Sequence, residues 1–132
     1  MTAASPHTRS TLRAVQPVLP VRDIAAALAF YIERLGFRFL FGDRSGAPAY
    51  AGVGRDGIEL HLQWQAAEAF ADGSAALGNL RFVVDDPDAL LTEFCASGAV
   101  RSEVAVRDTA WGTREFGFRD PDGNGLTFYR DH

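Results

Sequence analysis

The sequence predicts an α+β fold made of two tandem βαβββ modules. Three observations predict it. The order strand, helix, three strands occurs twice along the chain. The two expected helix N-caps, Asp23 and Asp86, lie 63 residues apart. The glycines that close those helices, Gly36 and Gly98, lie 62 apart. A period of that length, with agreeing order and spacing, points to a duplicated supersecondary unit. The expected layout is a loose tail over residues 1–13 and one domain over 14–132. That domain divides into a module at 14–65, a connector at 66–77 and a module at 78–132.

The first module opens with an apolar segment, Ala14 to Val21. Its two prolines place it at a sheet edge, because proline donates no ladder hydrogen bond. Asp23 then caps a helix. Ile24, Ala27, Leu28, Tyr31 and Leu35 recur at helical spacing and form one apolar face. Gly36 supplies the left-handed residue that ends it. Phe37–Phe41, Ala49–Val53 and Ile58–Trp64 read as three strands separated by Gly-, Pro- and Asp-containing turns. In the last of these, Glu59 and His61 share one face, with Leu60, Leu62 and Trp64 on the other. Trp64 is therefore expected to face the core.

The connector is polar and alanine-rich. Gly78–Val84 reads as the next strand. Asp86-Pro87 is an N-cap followed by proline at the first helical position, and Leu90, Leu91 and Phe94 give the inner face. Val100–Val106, Arg114–Arg119 and Gly125–Tyr129 read as three more strands. Asp120-Pro121-Asp122-Gly123-Asn124 has the composition of a tight turn.

Composition narrows the chemistry. The chain has 132 residues, with 13 basic side chains that are all arginine, three histidines and one cysteine. Lysine Schiff-base chemistry and a Walker-type phosphate loop are excluded. One chain cannot supply a structural zinc site of four cysteines, or of two cysteines and two histidines. The net charge of −4 argues against nonspecific nucleic-acid binding, which needs a basic face. It suits a cationic ligand. No apolar run approaches the ~20 residues that cross a membrane as a helix. A lone Cys95 suits a cytoplasmic location.

Three stretches carry a family resemblance: PVLPVRDIAAALAFYIERLGF (17–37), DGIELHLQW (56–64) and WGTREFGFRDPDGNGLTFY (111–129). Together they resemble the glyoxalase/bleomycin-resistance/dioxygenase group, the vicinal oxygen chelate superfamily, and the bleomycin-resistance branch in particular. The resemblance implies cup-shaped mixed sheets. It also implies a homodimer whose ligand clefts form where a module of one chain meets a module of the other.

It further implies a set of metal positions near Gln16, Glu59, Asn79 and Thr127. Asn79 and Thr127 depart from the His and Glu expected there, and such neutral groups are weak ligands for Zn, Ni or Fe. Aligning the turn glycines Gly57 and Gly123 instead places His61 opposite Thr127. One expectation is thus a metal-free binding protein, with no catalytic residue and no cofactor, that sequesters a planar, cationic small molecule. The other is a glyoxalase-like lyase or isomerase using one divalent metal on Glu59, Gln16 and His61. A module that senses a metabolite for a regulatory partner is a third.

For the binding reading, the resemblance points to Phe41, Tyr50 and Trp111 as aromatic contacts. Glu59 and His61 would form a polar floor. Glu115 would either face the cleft or pair with an arginine. Trp111 would line the cleft or cap its own module.

Overall fold

The computed structural model describes residues 9–132; the expectation for the first eight residues of the tail lies outside them. The elements are β1 (Val18–Val21), α1 (Ile24–Ala29), β2 (Arg38–Gly42), β3 (Tyr50–Arg55) and β4 (Ile58–Trp64). After these come α2 (Ala67–Ala71), β5 (Asn79–Val83), α3 (Pro87–Ser97), β6 (Arg107–Asp108), β7 (Thr113–Arg119) and β8 (Gly125–Asp131). Two four-stranded sheets result, ordered β1-β4-β3-β2 and β5-β8-β7-β6. In each, the first strand runs parallel to the last and the remaining pairs are antiparallel. The identical order in both sheets is the βαβββ duplication expected from the sequence.

Local chemistry explains the helices. The Asp23 carboxylate accepts from the Ala26 backbone N–H at 3.1 Å, and Asp86 accepts from Ala89 at 3.0 Å. Each satisfies a donor that the first helical turn leaves free. Beyond α1 the chain widens into a π-helical turn, Phe30–Arg34, marked by a Leu35 N–H to Phe30 carbonyl bond of 3.2 Å. Gly98 closes α3 at φ 80°, a conformation that costs a residue with a Cβ.

Each sheet buries one face under a helix. On the first, Leu19, Val21, Ala51, Val53, Leu60 and Leu62 are buried in one core with Ile24, Ala27, Tyr31 and Leu35. On the second, Phe82, Phe128 and Phe116 stand side by side in register. Their ring centroids are 4.7 and 5.3 Å apart, and Phe94 of α3 meets Phe116 and Phe128 edge-on.

Two expectations need correction, and the connector adds a short helix. Val100–Val106 is not a strand. A turn bonded from Val104 N–H to Arg101 carbonyl interrupts it, and only Arg107–Asp108 pairs with β7. Its valines are half-buried against the core, so their apolar pattern reflects burial without a ladder. The connector contains α2, pinned where the Arg22 guanidinium lies 3.8 Å over the Phe70 ring. Trp64 has core-side parity but is 50% exposed, because it ends its strand beyond the helix cover.

A buried polar hub joins the two modules. Asp120, 4% exposed, accepts from the Tyr31 hydroxyl at 2.8 Å and from Asn124 Nδ2 at 3.0 Å. Its other oxygen accepts the backbone N–H groups of Asp122 and Asn124, both at 2.9 Å. Asn124, fully buried, donates to the Pro20 carbonyl in β1 and accepts from Gly78 N–H just before β5. Burial, reinforced by the Asp120 charge, pushes the Tyr31 phenol far above its ordinary range. Tyr31→Phe removes a hydrogen bond to a buried carboxylate and should destabilise the fold by about 1.5–3 kcal/mol, measured by urea unfolding.

Candidate functional site

The face of the first sheet that no helix covers gathers four of the six expected site residues. Cross-strand pairing sets Phe41, Gly52, His61 and Val18 in one row. A bulge brings Phe41 there: two β2 residues span the step from Val53 to Gly52, with Leu40 as the extra one. Without it, Phe41 would pair with Ala51 and point into the core, a re-aiming that bulges commonly produce.

A hydrogen-bonded chain crosses this face. The Tyr50 hydroxyl lies 2.7 Å from His61 Nδ1, and His61 Nε2 lies 2.6 Å from Glu59 Oε2. With neutral imidazole, Nε2–H donates to the carboxylate and Nδ1 accepts from the phenol. Rings close around it. Phe41 lies near-parallel to Tyr50 at 6.3 Å and edge-on to His61 at 5.2 Å, while Tyr50 meets His61 edge-on at 5.3 Å. The Glu59 side chain keeps 35% of its surface exposed, so the floor is aromatic with one accessible anionic corner.

The uncovered face of the second sheet differs. Glu115 is 6% exposed and accepts from the Thr113 hydroxyl at 2.8 Å and from Arg81 at 3.3 Å. The Arg81 guanidinium also lies 4.3 Å over the Tyr129 ring. Glu115 is thus paired with an arginine, and it borders a cavity of about 340 Å³ lined also by Val104, Arg107, Gly117 and Thr127. Trp111 is 63% exposed on a turn closed by Thr109 and Thr113. The cap reading therefore fails for Trp111. Arg107 lies 5.7 Å from the Trp111 ring, and Arg114 ties Asp108 to Asp88 at the base of the turn. Hydrogen bonds from Arg114 hold both carboxyls below the usual carboxylate range. A larger cavity, about 550 Å³, surrounds the Arg55–Glu93 bridge and contains none of the expected site residues.

The family model for the glyoxalase/bleomycin resistance protein/dioxygenase superfamily matches residues 13–128. The chain belongs to that superfamily. A bleomycin resistance protein from Geobacillus stearothermophilus is 27% identical over 131 residues, covering 86% of this chain and 93% of the relative. The bleomycin-binding protein of the bleomycin-producing Streptomyces verticillus, solved with copper(II)-bleomycin, is 33% identical. It superposes with a TM-score of 0.69 over 94% of this chain and 100% of its own. TnmS3, an antibiotic binding protein from Streptomyces sp. CB03234, is 27% identical with a TM-score of 0.68, covering 94% of this chain and 100% of its own.

The sheet register decides between the two superfamily metal alignments. His61 pairs with Val18 and Thr127 pairs with Arg81. Val18 and Arg81 are separated by the same 63 residues as the helix caps. His61 and Thr127 are therefore equivalent, and Glu59 lies two residues nearer its turn. The donors do not fit a metal. Both His61 nitrogens are engaged, one of them by Glu59 itself. Gln16 is exposed ahead of β1. Among the described residues, no three His, Cys, Asp or Glu side chains converge on one point. The bulge and Gly52 leave no sign in the sequence that they shape this face; the run RFLFG offers no local mark of which phenylalanine turns outward. Asp120 and Asn124 have the sequence signature of turn residues alone, whereas their burial places them in the hub.

Proposed function

We propose that this protein captures a planar, cationic antibiotic of the bleomycin kind and holds it without breaking a bond. The observation that carries the reading is the ring cluster of Phe41, Tyr50 and His61 beside the Glu59 carboxylate. A flat heteroaromatic group stacked there gains about 0.5–1.5 kcal/mol beyond its buried area. An anionic corner favours a positive ligand over a neutral one. Relatives named for binding bleomycin, one of them 33% identical across nearly the whole chain, support it.

In one chain Phe41, Tyr50, Glu59 and His61 line neither of the two cavities described above. We therefore place it in a homodimer, where the open second sheet of one copy faces the open first sheet of the other. Trp111, already exposed on its turn, becomes the opposing aromatic wall. The donor geometry of Glu59 and His61 favours a floor over a metal centre, which disfavours the lyase or isomerase reading. A cytoplasmic protein binding its ligand in this way would protect by stoichiometry.

Three measurements test this. Sedimentation should give a particle of twice the 14.3 kDa chain mass; a monomer at micromolar concentration would contradict the shared cleft. Calorimetric titration with Zn, Ni, Fe and Mn should show no site of micromolar or tighter affinity; a stoichiometric site would favour the metalloenzyme. Bleomycin should quench tryptophan fluorescence, and Trp111→Ala should weaken binding by ~1–3 kcal/mol while leaving Tm unchanged. Unfolding of that variant would show Trp111 to be structural.

A further inference from the structure

We propose that Gly52 is a positioning residue of the ligand site: its missing side chain is the seat on which the Phe41 ring lies. The inference rests on the binding reading for its consequence in affinity, but its geometry stands apart from it.

A Cβ built at Gly52 would collide with Phe41 Cε1 and lie 2.7 and 2.8 Å from Cδ1 and Cζ of the same ring, its three nearest neighbours. All three nearest atoms belong to the Phe41 side chain and none to the backbone. A methyl group at position 52 would therefore press first on the Phe41 side chain. Gly54, two residues on, is different: a Cβ there would approach both Leu40 Cδ1 at 3.0 Å and the Ile58 carbonyl at 3.3 Å. Gly52 is the position where side-chain volume converts directly into ring displacement.

The displacement matters because the bulge and the glycine act together. The bulge turns Phe41 outward. The glycine lets it lie down beside Tyr50 and His61, at 6.3 and 5.2 Å. Any larger residue at position 52 lifts the ring into the space a stacked ligand would occupy. Residue size at this one position thus sets the depth of the cleft and the thickness of the ligand it admits.

The test uses Gly52→Ala, Phe41→Ala and the double variant, each as the full chain. The ligand-free readout is the NMR shift of the His61 ring protons, which sense the neighbouring Phe41 ring. Gly52→Ala should move these resonances toward their positions in Phe41→Ala. Unchanged resonances would overturn the proposal. The second readout is bleomycin affinity. Gly52→Ala should weaken it about two- to tenfold in the wild-type background, and by less than about twofold when Phe41 is already alanine. Equal losses in both backgrounds would show that Gly52 does not act through Phe41. If Gly52→Ala fails to fold, the double variant should recover the fold; its failure too would assign Gly52 to the ladder and overturn the proposal. Absence of bleomycin binding by the wild type would defeat the proposed function, and the resonance arm would still decide the role of Gly52.

Discussion

The Asp120 carboxylate is the constraint on which the arrangement of this molecule depends. A buried charge is costly unless donors surround it. Here they come from the Tyr31 hydroxyl, the Asn124 amide and two backbone N–H groups of its own turn. Through Tyr31 the carboxylate holds the first module's helical segment. Through Asn124 it holds β1 and the entry to β5. At the surface, Arg22 adds a contact to Asp122 at 3.2 Å. The two sheets are thereby fixed relative to one another by hydrogen bonds that have direction, where apolar packing alone would leave more latitude.

That fixed frame leaves each sheet with one face under a helix and one face open. The open faces have unlike chemistry although they descend from the same unit. His61 and Thr127 are equivalent by register, yet one anchors a Tyr–His–Glu chain and the other borders a small cavity. On the second sheet the carboxylate is buried and paired. On the first it remains partly in solvent. An aromatic floor with a half-exposed anionic corner on one face, and arginine–aromatic pairs on the other, are the two surfaces that the proposed dimeric cleft would bring together.

Much of this was legible in the sequence because of periodicity and capping. The Glu59/His61 alternation against Leu60/Leu62 gave β4 its bounds and the open face its polar residues. Asp23, Asp86, Gly36 and Gly98 gave the helices and the repeat. What escaped depends on pairing, which periodicity does not encode. Val100–Val106 has the apolar pattern of a strand but joins no ladder, its one turn bond running from Val104 to Arg101. The outward turn of Phe41 depends on one unpaired residue, Leu40, that only the ladder reveals. The burial of Asp120 and Asn124 follows from where the turn docks, which a five-residue motif does not carry. Helix α2 has five residues, no side-chain cap and no buried residue, so no local signal marked it.

The open face of the first sheet is the proposed binding face. The most direct measurement is amide chemical-shift mapping during a bleomycin titration. Perturbations should concentrate at Phe41, Tyr50, Gly52, Glu59 and His61 and on the Trp111 turn, with the helix-covered core silent. Perturbations confined to the Arg55–Glu93 cavity, or none at saturating ligand, would contradict it.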